Sequence, residues 1–356
     1  MLDLYKDFWQ NIKISEQHPI NSELEKNTIL RRYLSSPFLS PALGKKLARL
    51  IQTARIHVYV VPLDLGGQGF VNFNFISNLS KVKIQKLIRY YFFVVYLRTK
   101  LPANPPIRFS SSPSIYIFPI AESKKFVKNI GIHEMNSAST NIHANNYDGD
   151  IYMWRKDDIE KVLIHEALHS VHYDMDIINQ RVIPELKALE KDGFNRLNIN
   201  EAYTELCAVY LYNILKLSPK ATIGTNRRLL RALLLKDLEH SLKNSAKLLR
   251  VNDIKKINKL EDLQGYRQEA AAFSYIILRT GLLWSLLTKC KNKTKGRTDR
   301  LKCLDDFLRI GFAGRIGVYY QYVLLNIIKN EAFAREIMNH MDSSEKKDKK
   351  KMILAI

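Results

Sequence analysis

Val162-Leu-Ile-His-Glu-Ala-Leu-His-Ser-Val171 lies in a segment whose apolar residues recur at helical spacing. Asp157 or Asp158 is placed to cap a helix running from Ile159 to Val171. On that helix His165 and His169 are four residues apart, slightly more than one turn. They project from one face, and both imidazoles can meet a single ion. Zinc suits neutral imidazole and takes tetrahedral ligands, so this turn makes half a site. Glu166 stands beside the pair, placed to take a proton from water held by the ion rather than to ligate it. The plain alternative is two histidines decorating a helix. Against it, a charged glutamate among Val162, Leu163, Ile164, Ala167, Leu168 and Val171 is costly to bury without a partner.

A catalytic zinc needs a third protein ligand and an open position. Downstream, Ile199-Asn-Glu-Ala-Tyr-Thr-Glu-Leu-Cys-Ala208 carries Glu201 and Glu205 at i and i+4, on one face of a helix that Asn198 or Asn200 can cap. H-E-x-x-H followed by N-E-A-x-[S/T]-[D/E] resembles the gluzincins, zinc peptidases of the thermolysin kind. The resemblance implies that Glu201 is the third ligand to Zn2+. It also implies that Glu205 accepts the second ring N–H of a zinc-bound histidine, His165, which would fix its tautomer. Here 31 residues separate His169 from Glu201, more than in thermolysin, and Glu205 stands where Asp is commoner. His172 and Met175 break the pattern of the other large zincin group, H-E-x-x-H-x-x-G-x-x-H. His172 is then a surface residue or a support for a ligand, and Asp174, in the loop after the helix, is the plainer sort of helix-terminal residue or a support for a zinc ligand.

A looser likeness precedes the motif. Asn136-Ser-Ala-Ser-Thr140 and Lys161-Val-Leu-Ile-His-Glu166 occur in the order seen in uncharacterised zincin-like proteins of large DNA viruses. By resemblance, an edge strand near Ser137 to Ile142, or alternatively Asp150 to Trp154, would receive extended peptide by strand addition. Thr140 and Asn141 would be substrate contacts. Gluzincins also use a Tyr or His against the oxyanion. His240, Tyr266, Tyr275, Tyr319 and Tyr320 are the candidates, with Tyr275 favoured because it sits on a buried-looking helix where a phenol needs a polar partner.

Around these motifs the period changes twice. Residues 1 to 52 read as helical, with breaks near Pro19 and Pro37. Ile56 to Leu63 and Phe70 to Ile76 are β-branched and aromatic, and Gly66-Gly67 lies between them, which reads as two strands and a turn. Lys81 to Leu101 returns to helix. Ile107-Arg-Phe109, Ser114 to Phe118, Ser139 to His143 and Asp150 to Trp154 are strand-like. From Lys156 the pattern is almost wholly helical, with long runs at 200–217, 226–249, 268–288 and beyond 301. The expected fold is α+β. The resemblance sharpens it to zincin-like, a small mixed sheet whose edge strand lies over the active-site helix, followed by a helical half. The expected division is a helical segment (1–55), a strand-rich part bearing the motif helix (56–175), a helical part supplying the third ligand (176–342) and a basic tail (343–356).

Composition constrains the setting. The 356 residues can bury a large core. Three cysteines, widely spaced and without a C-x-x-C pair, indicate neither a disulfide framework nor a cysteine zinc site, which fits an intracellular, cytoplasmic setting. The first ten residues carry acids where a signal peptide would not, and Tyr275–Leu287 is interrupted by Arg279 and Gly281 and too short to span a bilayer. The formal charge of +21 is concentrated in part at Lys289–Lys302 and Lys346–Lys351. Such a field favours nucleic acid or another polyanion, although it equally describes solvated loops, and no aromatic interleaving marks a base-stacking platform. Two functions follow as expectations. The first is a zinc peptidase acting on a peptide or protein substrate; the second is a non-catalytic or degenerate zincin-like protein that binds a protein or nucleic acid through its basic surface.

Overall fold

The structure, a computed structural model, describes residues 1–8, 15–20, 22–64, 70–101, 112–124, 132–140, 149–174, 181–191, 198–263, 271–288, 300–312 and 317–341. Asn141, Tyr266, Ile107–Phe109, the Gly66-Gly67 turn and most of both basic runs therefore lie outside the described residues.

Mixed α and β structure surrounds one small mixed sheet. Its strands are β1 (Ser15–Ile20), β2 (Ile56–Asp64), β3 (Phe70–Ser77), β4 (Ser114–Ile120), β5 (Ala138–Thr140) and β6 (Ile151–Arg155), in the order β1-β2-β3-β4-β6-β5. The β2–β3 pair is antiparallel, as the alternating aromatic sequences suggest, whereas β3–β4 and β4–β6 are parallel. β5 runs antiparallel to β6 and forms one edge. The alternative edge, Asp150 to Trp154, is instead an interior strand between β4 and β5.

The other edge corrects the sequence reading. Ser15–Ile20 was expected within a helical segment, yet it pairs antiparallel with β2. Pro19 reads equally as a helix break or as an edge-strand proline, and the register shifts between Gln17 and Pro19. A proline cannot donate to a ladder, and an edge strand with a bulge is where that loss is tolerated.

Period-two alternation sorts the strand residues onto two faces. Tyr59, Val61, Phe73, Phe75, Ile115, Ile117, Ile151 and Met153 join one core cluster. Ile56, Ile76, Tyr116, Phe118, Tyr152 and Trp154 join the other, beneath α2 (Glu23–Leu34) and α3 (Pro41–Thr53). Tyr33 of α2 fastens this layer, its hydroxyl donating to the carbonyls of Tyr116 and Met153.

The first face carries α4 (Lys81–Lys100) and the motif helix α6 (Ile159–Ser170). α1 (Leu2–Phe8) and a short α5 (Ile132–Met135) complete the first half. Beyond α6 come α7 (Pro184–Lys191), α8 (Ile199–Leu215) and the long α9 (Ile223–Val251). A π-helical segment, Phe273–Leu278, leads directly into α10 (Arg279–Thr288). Then follow α11 (Arg300–Phe312), α12 (Gly317–Ile328) and α13 over 331–341. A single apolar cluster runs from Met1 through α4, α6 and α8 to Met341, so the join expected at 175 does not separate two cores. No described helix is long and apolar enough to cross a membrane. Cys207 is a buried free thiol, but Cys303 is disulfide-bonded, which departs from the expectation of unpaired cysteines and removes their support for a reducing setting.

Candidate metal centre

α6 is buried from Val162 to Ser170, and its two ends determine where its polar residues point. At its start Asp158 takes the N-cap position with φ 52° and makes no side-chain cap bond. Asp157 instead accepts the backbone N–H of Lys124. At its end Arg98 of α4 donates to the Val171 carbonyl, and Tyr91 meets Ser170, both contacts holding α6 against α4. The chain then reverses at His172, whose φ of 57° is left-handed. Its N–H returns to the His169 carbonyl and that of Tyr173 to Leu168. A left-handed residue commonly closes a helix in this way. His172 itself is buried beside Arg98 rather than on the surface, and burial lowers its pKa.

That reversal brings Asp174 back beneath the helix. Asp174 is fully buried, with Oδ2 2.8 Å from His169 Nδ1 and accepting from Asn200 Nδ2. Glu205 does the same for the other ring, its Oε2 3.1 Å from His165 Nδ1 while Lys161 holds its Oε1. In the neutral rings a carboxylate at each Nδ1 puts the proton there and leaves each Nε2 with a bare lone pair.

The two Nε2 atoms face one another at 3.1 Å, and Glu201 Oε2 lies 3.2 Å from His165 Nε2 and 3.4 Å from His169 Nε2. These three atoms belong to the one cluster of ligand-type side chains found among the described residues. Glu201 Oε2 is buried and faces these two ring nitrogens. Three lone-pair-bearing atoms turned on one another out of water demand positive charge between them. Tetrahedral zinc with bonds of about 2.0–2.1 Å needs neighbouring ligand atoms about 3.3–3.4 Å apart. The observed triangle fits that donor set.

The electrostatics point the same way. Burial pulls the His165 pKa down, but Glu201 and Glu205 outweigh it and hold the ring at about 9. Burial is likewise outweighed at His169, by Asp174 and Glu201, and its pKa lies well above the ordinary value. Glu201 and Glu205 are lowered despite burial, the first by the two histidines and the second by Lys161 and His165.

Glu166, next along α6, is not part of the triangle. Its Oε2 accepts from Thr140 Oγ1 at 2.6 Å. Thr140 is the last residue of edge strand β5, so the strand and the candidate base are joined directly. Tyr275, on the π-helical segment, sets its ring edge-on to His165 with centroids 5.6 Å apart. Burial raises its phenol well above the usual range, and Glu201 and Glu166 add to that shift. The other candidates among the described residues are elsewhere: His240 is on the exposed side of α9, Tyr319 is exposed, and Tyr320 is buried and donates to the Ile199 carbonyl at the start of α8.

Sequence reasoning passed over Lys161 and gave Asp174 its plainer meaning. Their only signal was proximity to the motif, which does not say which way a loop turns. Comparison with known protein families, curated proteins and solved structures finds no match to this chain.

Proposed function

We propose that this chain is a zinc-dependent peptidase of the gluzincin kind, built on a zincin-like fold. The observation that carries the reading is the triangle of His165, His169 and Glu201, with each imidazole backed by a carboxylate and Glu166 alongside. His165, His169 and Glu201 would hold the ion. What zinc supplies when bound is Lewis acidity, which polarises a carbonyl and makes water nucleophilic near neutral pH.

The protein's own groups do the rest. Glu166 takes the proton of the attacking water and passes it to the leaving amine, so no covalent enzyme intermediate is required. Thr140 fixes the carboxylate for that task by donating to Oε2. The Tyr275 phenol, its pKa raised by burial, stays protonated and available to donate toward an oxyanion. The substrate backbone would add to β5, the sheet edge nearest the site, main chain to main chain.

The test is metal content together with cleavage of a peptide pool read by mass spectrometry. One zinc per chain and cleavage are expected. Glu166→Gln should keep the metal and lose turnover, whereas Glu201→Ala should lose the metal. Full turnover in Glu166→Gln would overturn the proposal, as would a chain that takes up no divalent ion.

A further inference from the structure

Beside the ligand triangle is a small pocket, ≈ 60 Å³, lined by Lys124, Ser137, Lys161, Glu166 and Tyr275 among others. Two ammonium groups border it, and their circumstances differ. Lys161 Nζ is bonded to Glu205 at 2.6 Å, so its charge is neutralised within the protein. For Lys124, among the described residues, no carboxylate lies within ion-pair distance. Glu205 and Asp158 act on it only from farther away, and Lys161 and Arg155 oppose them. Burial dominates, pushing this amine down to about 8. An ammonium in such a place has lost part of its hydration and, among the described residues, has no counter-ion in contact.

The fold nevertheless holds Lys124 in position. Its N–H donates to Asp157, and the preceding carbonyl, of Ser123, accepts from Arg155 at 3.0 Å. Lys156 donates to the Ile120 carbonyl. The segment after β4 is thereby tied to the connection between β6 and α6, which delivers Glu166. Ser137, just before β5, borders the same pocket and is 4 % exposed, its hydroxyl buried without a hydrogen-bond partner among the described residues. One cation and one hydroxyl, neither with a partner in contact among the described residues, thus share a small polar space with Glu205 and the candidate base.

We propose that Lys124, with Ser137, forms a substrate subsite that receives a carboxylate of the bound peptide, either an acidic side chain or the free C-terminus. The proposal rests on the peptidase reading and gives it a specificity: cleavage beside an anionic group. The ammonium and hydroxyl supply donors to both carboxylate oxygens, and the ligand supplies a counter-charge that no described residue places in contact with Lys124.

The experiment uses zinc-loaded Glu166→Gln protein, so that binding is read without turnover. Fluorescein-labelled hexapeptides carry one Glu, or Gln in its place, at each position in turn, with the C-terminus free or amidated. Anisotropy titration gives their dissociation constants. A carboxylate peptide is expected to bind about tenfold tighter than its amide counterpart, the scale of one charge-assisted contact. The Glu/Gln arm and the acid/amide arm identify which carboxylate is held. Adding Lys124→Met should reduce the preference to about twofold or less, and Lys124→Arg should retain most of it. Without ligand, Lys124→Met should leave Tm unchanged or raised, since it removes a partly buried charge that has no counter-ion within ion-pair distance among the described residues. Equal binding of all peptides, or survival of the preference in Lys124→Met, would each refute the subsite. Cleavage without carboxylate preference would sink the subsite and leave the peptidase standing; preference without cleavage by the unsubstituted chain would do the reverse. Should Lys124→Met not fold, Ser137→Ala, with an expected loss of about threefold in the preference, provides the same decision.

Discussion

Replacing Asp174 by asparagine removes one charge and keeps the shape. The carboxylate is fully buried, 2.8 Å from His169 Nδ1, and also accepts from Asn200. In Asp174→Asn the amide oxygen can occupy the place of Oδ2, and its nitrogen that of Oδ1, which has no partner. The geometry therefore survives, and what is lost is charge assistance. A hydrogen bond to a charged group contributes about 1.5–3 kcal/mol and a neutral one about 0.5–1.5. The difference of about 1–1.5 kcal/mol corresponds to about tenfold in an equilibrium constant. That loss falls on the basicity of His169 Nε2, the atom that would donate to zinc, and it lies at the lower end of what removing such supports costs in metal affinity. Competition against a chromogenic chelator measures the zinc Kd directly, and Asp174→Asn should weaken it about tenfold. Asp262→Asn, at an exposed carboxylate bonded to the N–H groups of Asn258 and Lys259, is the control. A zinc Kd that shifts no more in Asp174→Asn than in the control would refute the idea that Asp174 tunes a ligand.

The pH dependence of stability without zinc follows from the same cluster. His165 rises from 6.5 to about 9 on folding, so its contribution is complete below about 6.5 and is lost as pH climbs through about 9. Glu201 and Glu205 are depressed from 4.5, so theirs is present above that value and lost in acid. Urea midpoints measured in chelator should be highest between about pH 5 and 6.5 and decline toward pH 9, and saturating zinc should remove the alkaline decline. A flat profile from pH 6.5 to 9 in chelator would contradict this assignment. At Gly281, a Cβ would overlap Ile327 Cγ2 and meet Phe333 Cε1 at 2.9 Å. Gly281→Ala should therefore destabilise by about 1–3 kcal/mol through overpacking, beyond the gain of about 1 kcal/mol in helix propensity. A raised urea midpoint would show that α10 and α12 have room to separate.

Much of the candidate site is legible in the amino-acid sequence because it lies on single faces of single helices. The 3.6-residue period by itself sets His165 beside His169, and Glu201 beside Glu205. Alternation likewise puts Tyr152 and Met153 on opposite faces of β6, while packing decides which layer each one meets. Where two local signals coincide, as at Pro19, the sequence leaves the choice open, and only pairing with β2 decides for an edge strand. Convergence between elements is a different matter. Nothing in the residue types around His172 marks a left-handed helix end, since that position is usually Gly or Asn, yet this turn alone brings Asp174 to His169. Lys124 is 41 positions from His165, and only the ties from Arg155 and Asp157 carry it to the pocket. Tyr275 reads as an ordinary helical residue, whereas the π-helical segment sets the phase that turns it to His165. Residue order determined which groups share a face. Packing of those faces decided which groups meet, because backbone periodicity repeats within an element and carries no information across the turns between elements.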